Sequence, residues 1–152
     1  MLVGGMLIYS QVGNQSEAFN DYTKVLQINP NHANVYVNRG SIRNELGDHQ
    51  GALDDYTQAL QINSNIAEAY YNRGTVRHEL GNYQEALQDY TQALHINPNI
   101  AEAYYSRGVV RCILEDKQGA IEDYTEALQI NPNKAKAYFG RAIAYSAIGY
   151  FL

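Results

Sequence analysis

Apolar positions along the chain fall into two helical stripes that recur. From Ala67 to Leu80 the residues Ala69, Tyr70, Val76 and Leu80 lie on one side of a helix, with helical and not alternating spacing. Gly81 follows, a residue that takes a left-handed helix cap at low steric cost. A second stripe then runs from Tyr83 to Ile96 through Ala86, Leu87, Tyr90, Ala93 and Leu94, and Asn97-Pro98-Asn99 stops it. The pattern predicts two helices packed antiparallel across a tight turn.

That pair returns at a fixed interval, with Ala33, Ala67, Ala101 and Ala135 opening successive copies. Residues 67–100 and 101–134 share 21 identities without a gap, and residues 33–66 and 67–100 share 22. Register this strict predicts one repeat array: 1–32 a nearly complete first repeat, then 33–66, 67–100 and 101–134, and finally 135–152 as the first helix of a fifth. Nine helices follow, with no linker or tail left over. Pro30, Pro98 and Pro132 all occupy the stop, where Ser64 once stands instead. A two-helix unit of this size buries its stripe only by stacking on its neighbours. Small residues recur where helices must approach closely: Gly40, Gly74, Gly108 and Ala142 on first helices, Ala18, Ala52, Ala86 and Ala120 on second ones.

Charge adds a second periodic signal. Arg39, Arg73, Arg107 and Arg141 recur, as do Asp21, Asp55, Asp89 and Asp123. Gly5 takes the arginine place in the first repeat. Pairing each aspartate with the next repeat's arginine therefore uses every charge: 21–39, 55–73, 89–107 and 123–141. Buried charges are tolerated mainly in pairs, so an inter-repeat ladder is expected. The fourth repeat carries Glu115 where Gly47 and Gly81 stand, which predicts a strained turn.

Composition sets limits on function. The apolar fraction of 45% supports a buried interior, and a net charge of −5 with a pI near 5.3 disfavours nucleic acid and anionic membranes as partners. The single Cys112 offers no disulfide framework, and the apolar start Met1–Tyr9 lacks a basic flank and a cleavage site. A cytoplasmic location is expected. His78 and Cys112 occupy matching places in successive repeats. Such places lie roughly 8–10 Å apart, too far to share a metal that needs ligands at about 2.0–2.3 Å. Aspartates that recur once in each repeat read as structural, whereas a catalytic pair would occur once in the chain. The fourteen tyrosines lack the basic groove of a base-stacking platform. No enzyme activity, cofactor or metal is expected.

Tyr70-x2-Arg73-Gly74-x2-Arg77, followed by Ala86-x3-Tyr90 and Pro98, resembles the tetratricopeptide repeat, and the resemblance covers the whole chain. Arg73 and Arg77 depart from that pattern, which has leucine and tyrosine there. The resemblance implies an all-α fold, a right-handed superhelical solenoid whose first helices line a concave groove for a peptide or helix. It places Asn34, Val37, Asn38, Ser41, Asn44 and Glu45 in the groove from the second repeat. The third repeat adds Glu68, Tyr71, Asn72, Thr75, His78 and Glu79. Tyr105, Val109, Cys112 and Ile113 come from the fourth, and Phe139 and Ile143 from the fifth.

The expected function is a non-catalytic protein-interaction scaffold. Its partner would set basic or amide side chains over the polar and acidic part, and apolar anchors over the rest. Protonation of His78 among carboxylates would weaken a basic partner's binding. Some relatives clamp a chaperone's terminal carboxylate with lysines, arginine and asparagines. Asn38 and Asn72 resemble part of that set, but Val37, Tyr71 and Tyr105 fill the lysine places and Gly140 follows Lys136 where arginine is needed. That mode is not expected. The alternative function is a self-assembling segment, or part of a longer array, associating through apolar ends: Met1–Tyr9 at one, and Tyr138, Ala142, Tyr145, Ile148, Phe151 and Leu152 at the other.

Overall fold

The computed structural model describes the backbone of residues 3–149 and the side chains of residues 13–149. Among the described residues there are eight helices and no strand. They are α1 (Val3–Ile28), α2 (Ala33–Glu45), α3 (His49–Ile62), α4 (Ala67–Glu79), α5 (Tyr83–Ile96), α6 (Ala101–Ile113), α7 (Lys117–Ile130) and α8 (Ala135–Ala147). The chain divides into two compact units, Met1–Ser64 with α1–α3 and Asn65–Leu152 with α4–α8. Within them α2 pairs with α3, α4 with α5, and α6 with α7. No described helix is long and apolar enough to cross a membrane.

The turns follow the sequence signals. Gly47 and Gly81 take positive φ, and the next amide returns to the first helix, Asp48 N–H to Arg43 and Asn82 N–H to Arg77, both at 2.8 Å. Asp48 and Asp116 then cap their second helices by accepting from the Gly51 and Gly119 amides at 2.9 Å. After the second helices, Asn29, Asn97 and Asn131 accept from the amide two residues on, an Asx turn that holds the proline stop.

One packing device recurs in the three complete repeats. A Cβ built on Gly40, Gly74 or Gly108 would meet the ring of Tyr56, Tyr90 or Tyr124 at 2.9–3.0 Å. Glycine therefore lets the second-helix tyrosine lie flat against the first helix. Ala52, Ala86 and Ala120 are fully buried at the same crossing.

The expected nine helices become eight among the described residues, because the first repeat holds the one helix α1 (Val3–Ile28) and not two. Gly13, the counterpart of Gly47, lies inside α1. The physical reason lies in what the first repeat lacks. In complete repeats two first-helix arginines clamp the second helix across the turn, as described below. Gly5 and Tyr9 stand in those two places, so the first repeat has no arginine clamp for a folded-back segment. Without such tertiary contacts a continuous run of backbone hydrogen bonds is favoured. The expected apolar ends, Met1–Tyr9 at one and Phe151 with Leu152 at the other, lie outside the residues whose side chains are described.

Candidate functional site

The aspartate places show how each repeat holds its first helix in a fixed orientation. Asp55, Asp89 and Asp123 are only 2–3% exposed. Each accepts a bidentate fork from an arginine on the first helix of its own repeat. Arg39 binds Asp55 through Nε and Nη2 at 2.8 and 2.6 Å, Arg73 binds Asp89 at 3.0 and 2.8 Å, and Arg107 binds Asp123 at 2.9 and 2.6 Å. The fork raises the Arg39 pKa, chiefly through the Asp55 hydrogen bond. The second arginine of each repeat closes on the same carboxylate, Arg77 at 2.7 Å and Arg111 at 3.1 Å. In the second and fourth repeats this arginine also donates to the Gly51 or Gly119 carbonyl, at 3.0 and 2.9 Å. A Cβ at Gly51 would lie 2.8 Å from the Arg43 guanidinium, so glycine makes that reach possible.

These pairs correct the expected ladder. Arginine and aspartate pair within a repeat, and none of 21–39, 55–73, 89–107 or 123–141 is the pair that forms. What crosses to the preceding repeat is the other edge of the guanidinium. Arg39 donates to Thr23 and Arg107 to Thr91 at 3.4 Å, and Arg141 donates to Thr125 at 3.1 Å. Asp21 and Arg141 are the two charges that pairing within repeats strands. Asp21 has a 76% exposed side chain beside Lys24 at 3.8 Å. The elimination failed because a charge on an uncovered helix is solvated and has no need of a partner.

In the first unit, α2 presents Asn34, Asn38 and Glu45 as exposed residues and Ser41 and Asn44 as half-buried ones. Asn44 is tied to His49 Nδ1 at 2.8 Å, and Glu45 accepts from Gln15 of α1. Val37 does not belong to this face. It is 2% exposed and part of the core, because valine shortens a place that Tyr71, Tyr105 and Phe139 fill with rings. A depression of about 350 Å³ opens at the α1–α2 loop, lined by Asn29, Asn31, His32, Asn34 and Asn63, and shares only Asn34 with this face.

In the second unit, α6 adjoins α4 on one side and α8 on the other, and their faces change in character along the series. Glu68 and Glu79 are exposed on α4, with Tyr71, Asn72, Thr75 and His78 half-buried between them. On α6, Tyr105, Val109 and Cys112 are half-buried against the core of Ala120, Tyr124 and Leu128, and Ile113 is exposed. On α8, Phe139 is 71% exposed and Ile143, one turn on, is 52% exposed. This is a polar start and an apolar finish.

Two contributors escape a reading confined to first helices. Second-helix tyrosines send their hydroxyls through to this face: Tyr56 meets Ser41 at 3.2 Å and Tyr90 donates to Thr75 at 3.4 Å. Val109 removes that hydroxyl in the fourth repeat, and Tyr124 donates instead to Cys112 Sγ at 3.8 Å. Burial pushes the Tyr90 phenol up to about 12, and burial with the Cys112 contact raises Tyr124 further. The sequence signal was a hydroxyl at one fixed first-helix place in the second and third repeats, Ser41 and Thr75, replaced by Val109 in the fourth. The other contributor is Lys134, whose ammonium lies 5.1 Å over the Tyr105 ring and 3.2 Å from Glu102. Lys134 and the Glu102 backbone lower the Glu102 pKa, the backbone more. Among the described residues no group of three or more His, Cys, Asp and Glu side chains is placed to hold a metal.

Comparison with known proteins agrees with the geometry. Tetratricopeptide repeat models match residues 67–100, 101–134 and 7–32, and a TPR repeat model matches 40–81. No curated protein matches the chain. Solved structures do. The crystal structure of MamA is 27% identical, with a TM-score of 0.85 over 92% of this chain and 82% of that one. YrrB, described as a TPR protein with an unusual peptide-binding site, is 27% identical, with a TM-score of 0.80 over 84% of this chain and 66% of that one. The first TPR of Spaghetti (RPAP3), bound to the HSP90 peptide SRMEEVD, is 25% identical, with a TM-score of 0.74 over 76% of this chain and 92% of that one.

Proposed function

The chain belongs to the tetratricopeptide repeat family, and from that premise and the geometry of its first-helix faces we propose a non-catalytic scaffold that binds a protein segment along α4, α6 and α8. The observation that carries this reading is the pair Phe139 and Ile143, 71% and 52% exposed one helical turn apart on α8, with Ile113 also exposed on α6. Apolar side chains grouped this way on one face mark a contact surface. Likeness to a solved TPR bound to a peptide supports the same reading. The segment sets apolar anchors on α6 and α8 and basic or amide groups on the α4 face, where Glu68 and Glu79 are exposed.

Energy and rate divide between the two ends. A buried aromatic anchor carries about 2 kcal/mol or more, while rim charges act mainly on association rate. A peptide selected from a random display library on the whole chain provides the probe. Phe139→Ala, at a side chain with little structural burden, weakens that peptide about thirtyfold by this figure. Glu79→Gln weakens it only severalfold and flattens its salt dependence. Unchanged affinity in Phe139→Ala and Ile143→Ala, with helicity intact, overturns the assignment.

A further inference from the structure

Residues 67–71 and 101–105 share one sequence, Ala-Glu-Ala-Tyr-Tyr, at the start of α4 and of α6. The last tyrosine of each run also holds the same pose. Tyr71 lies 5.8 Å from the Tyr90 ring at 42°, and Tyr105 lies 5.8 Å from the Tyr124 ring at 44°. The α6 copy is occupied. Lys134, just ahead of α8, sets its ammonium 5.1 Å over the Tyr105 ring and donates to Glu102 Oε1 at 3.2 Å. Its side chain is only 17% exposed, so the lysine stem is drawn down onto the protein and does not extend into water. Ring face and carboxylate attract the same positive charge, and together they define a place for one ammonium.

The α4 copy has the same parts without that occupant. Ile100 stands in the place of Lys134, each being the residue just before the next first helix, and isoleucine brings no charge to Glu68. Glu68 is exposed and Tyr71 half-buried, and among the described residues no cation pairs with Glu68. The repeats on either side of these two do not combine a carboxylate with a ring. Asn34 and Val37 take the two places in the second repeat, and Lys136 and Phe139 take them in the fifth. We propose that Glu68 and Tyr71 form a subsite for a lysine side chain of the bound partner, its ammonium taking on α4 the position that Lys134 takes on α6. The subsite is part of the binding face proposed above and rests on that reading. Lys134 fills its own copy, so the face recognises one lysine here and not two. An acidic side chain is repelled by Glu68, and an aliphatic one leaves that carboxylate without its charge partner.

The probe is a peptide selected from a random display library on the whole chain. Selected peptides carry a lysine at a fixed spacing from their apolar anchors. Replacing it with norleucine, which keeps the stem and drops the charge, weakens binding about tenfold. Glu68→Gln weakens the lysine peptide by a similar factor and leaves the norleucine peptide unchanged. Ile100→Lys supplies the ammonium from within, as Lys134 does on α6, and also brings the lysine peptide down to the norleucine level. Glu79→Gln leaves the gap between the two peptides as it was, because a carboxylate acting at a distance does not make this contact. Selected peptides without a lysine overturn the proposal. So does a gap that persists in Glu68→Gln, or one that closes equally in Glu79→Gln. If Ile100→Lys loses helicity by circular dichroism, the exposed Glu68→Gln decides alone. The binding face is judged separately by Phe139→Ala. A peptide that responds to Phe139→Ala and not to Glu68→Gln sinks the subsite and leaves the face standing, and one that responds to neither sinks both.

Discussion

At the scale of the residue, the buried aspartates are the most constrained groups in the molecule. Asp89 is 2% exposed and bound by Arg73 and Arg77, so removing it leaves two guanidinium groups facing an apolar crossing. Asp89→Ala is expected to cost about 3–5 kcal/mol. In a double-mutant cycle by urea unfolding, Asp89 couples strongly to Arg73 and negligibly to Arg107. Strong coupling to Arg107 would restore the inter-repeat ladder. Tyr90 gives a second expectation. Its folded pKa of about 12 lies above the ordinary value of 10.0, so the folded state keeps a proton that the unfolded state loses first. The contribution is whole below pH 10 and is lost as pH rises toward 12. Tyr90→Phe should therefore lessen the fall in stability over that window, and an unchanged profile would show that other groups govern it. The sequence revealed that these charges and tyrosines were structural, because they recur at the same place in every repeat. It left open which repeat supplies each partner, since a strict period looks the same for pairing within or between repeats.

At the scale of the element, the turns decide where one helix ends and the next begins. Glu115 takes φ 66° where Gly47 and Gly81 take 83° and 80°, the strain expected from its side chain. Part of the cost is offset, because Lys117 Nζ lies 3.1 Å from the Glu115 carboxylate and donates to the Cys112 carbonyl at 2.7 Å. The left-handed penalty is about 1–2 kcal/mol and an exposed ion pair offsets only a fraction of it. Glu115→Gly should raise the melting temperature by a few degrees in a calorimetric scan. A lower melting temperature would show that the lysine contacts outweigh the strain. Turn residues were readable because glycine, aspartate and proline act locally. The continuous α1 was not readable that way. Gly13 and Asn14 repeat the Gly81-Asn82 signal, and the turn fails through arginines missing elsewhere in the repeat.

At the scale of the whole molecule, the fixed repeat period made the all-helical fold legible, since a repeat that cannot bury its own stripe has to stack. The character of the first-helix faces was legible less completely. Thr75, His78, Phe139 and Ile143 followed from helical spacing, but Val37 shares that spacing and is buried. The tyrosine hydroxyls and Lys134 enter from outside the first helices and were missed. The proposed function rests on the face of the second unit, and it can be mapped directly. The measurement is a set of backbone amide shifts from isotope-labelled chain titrated with a display-selected peptide. The account predicts that the largest changes cluster at Thr75, Val109, Ile113, Phe139 and Ile143, with Gln88, Gln118 and Glu122 on the second helices unmoved. Changes confined to the second helices, or to the Tyr138 and Arg141 side of α8, would contradict it.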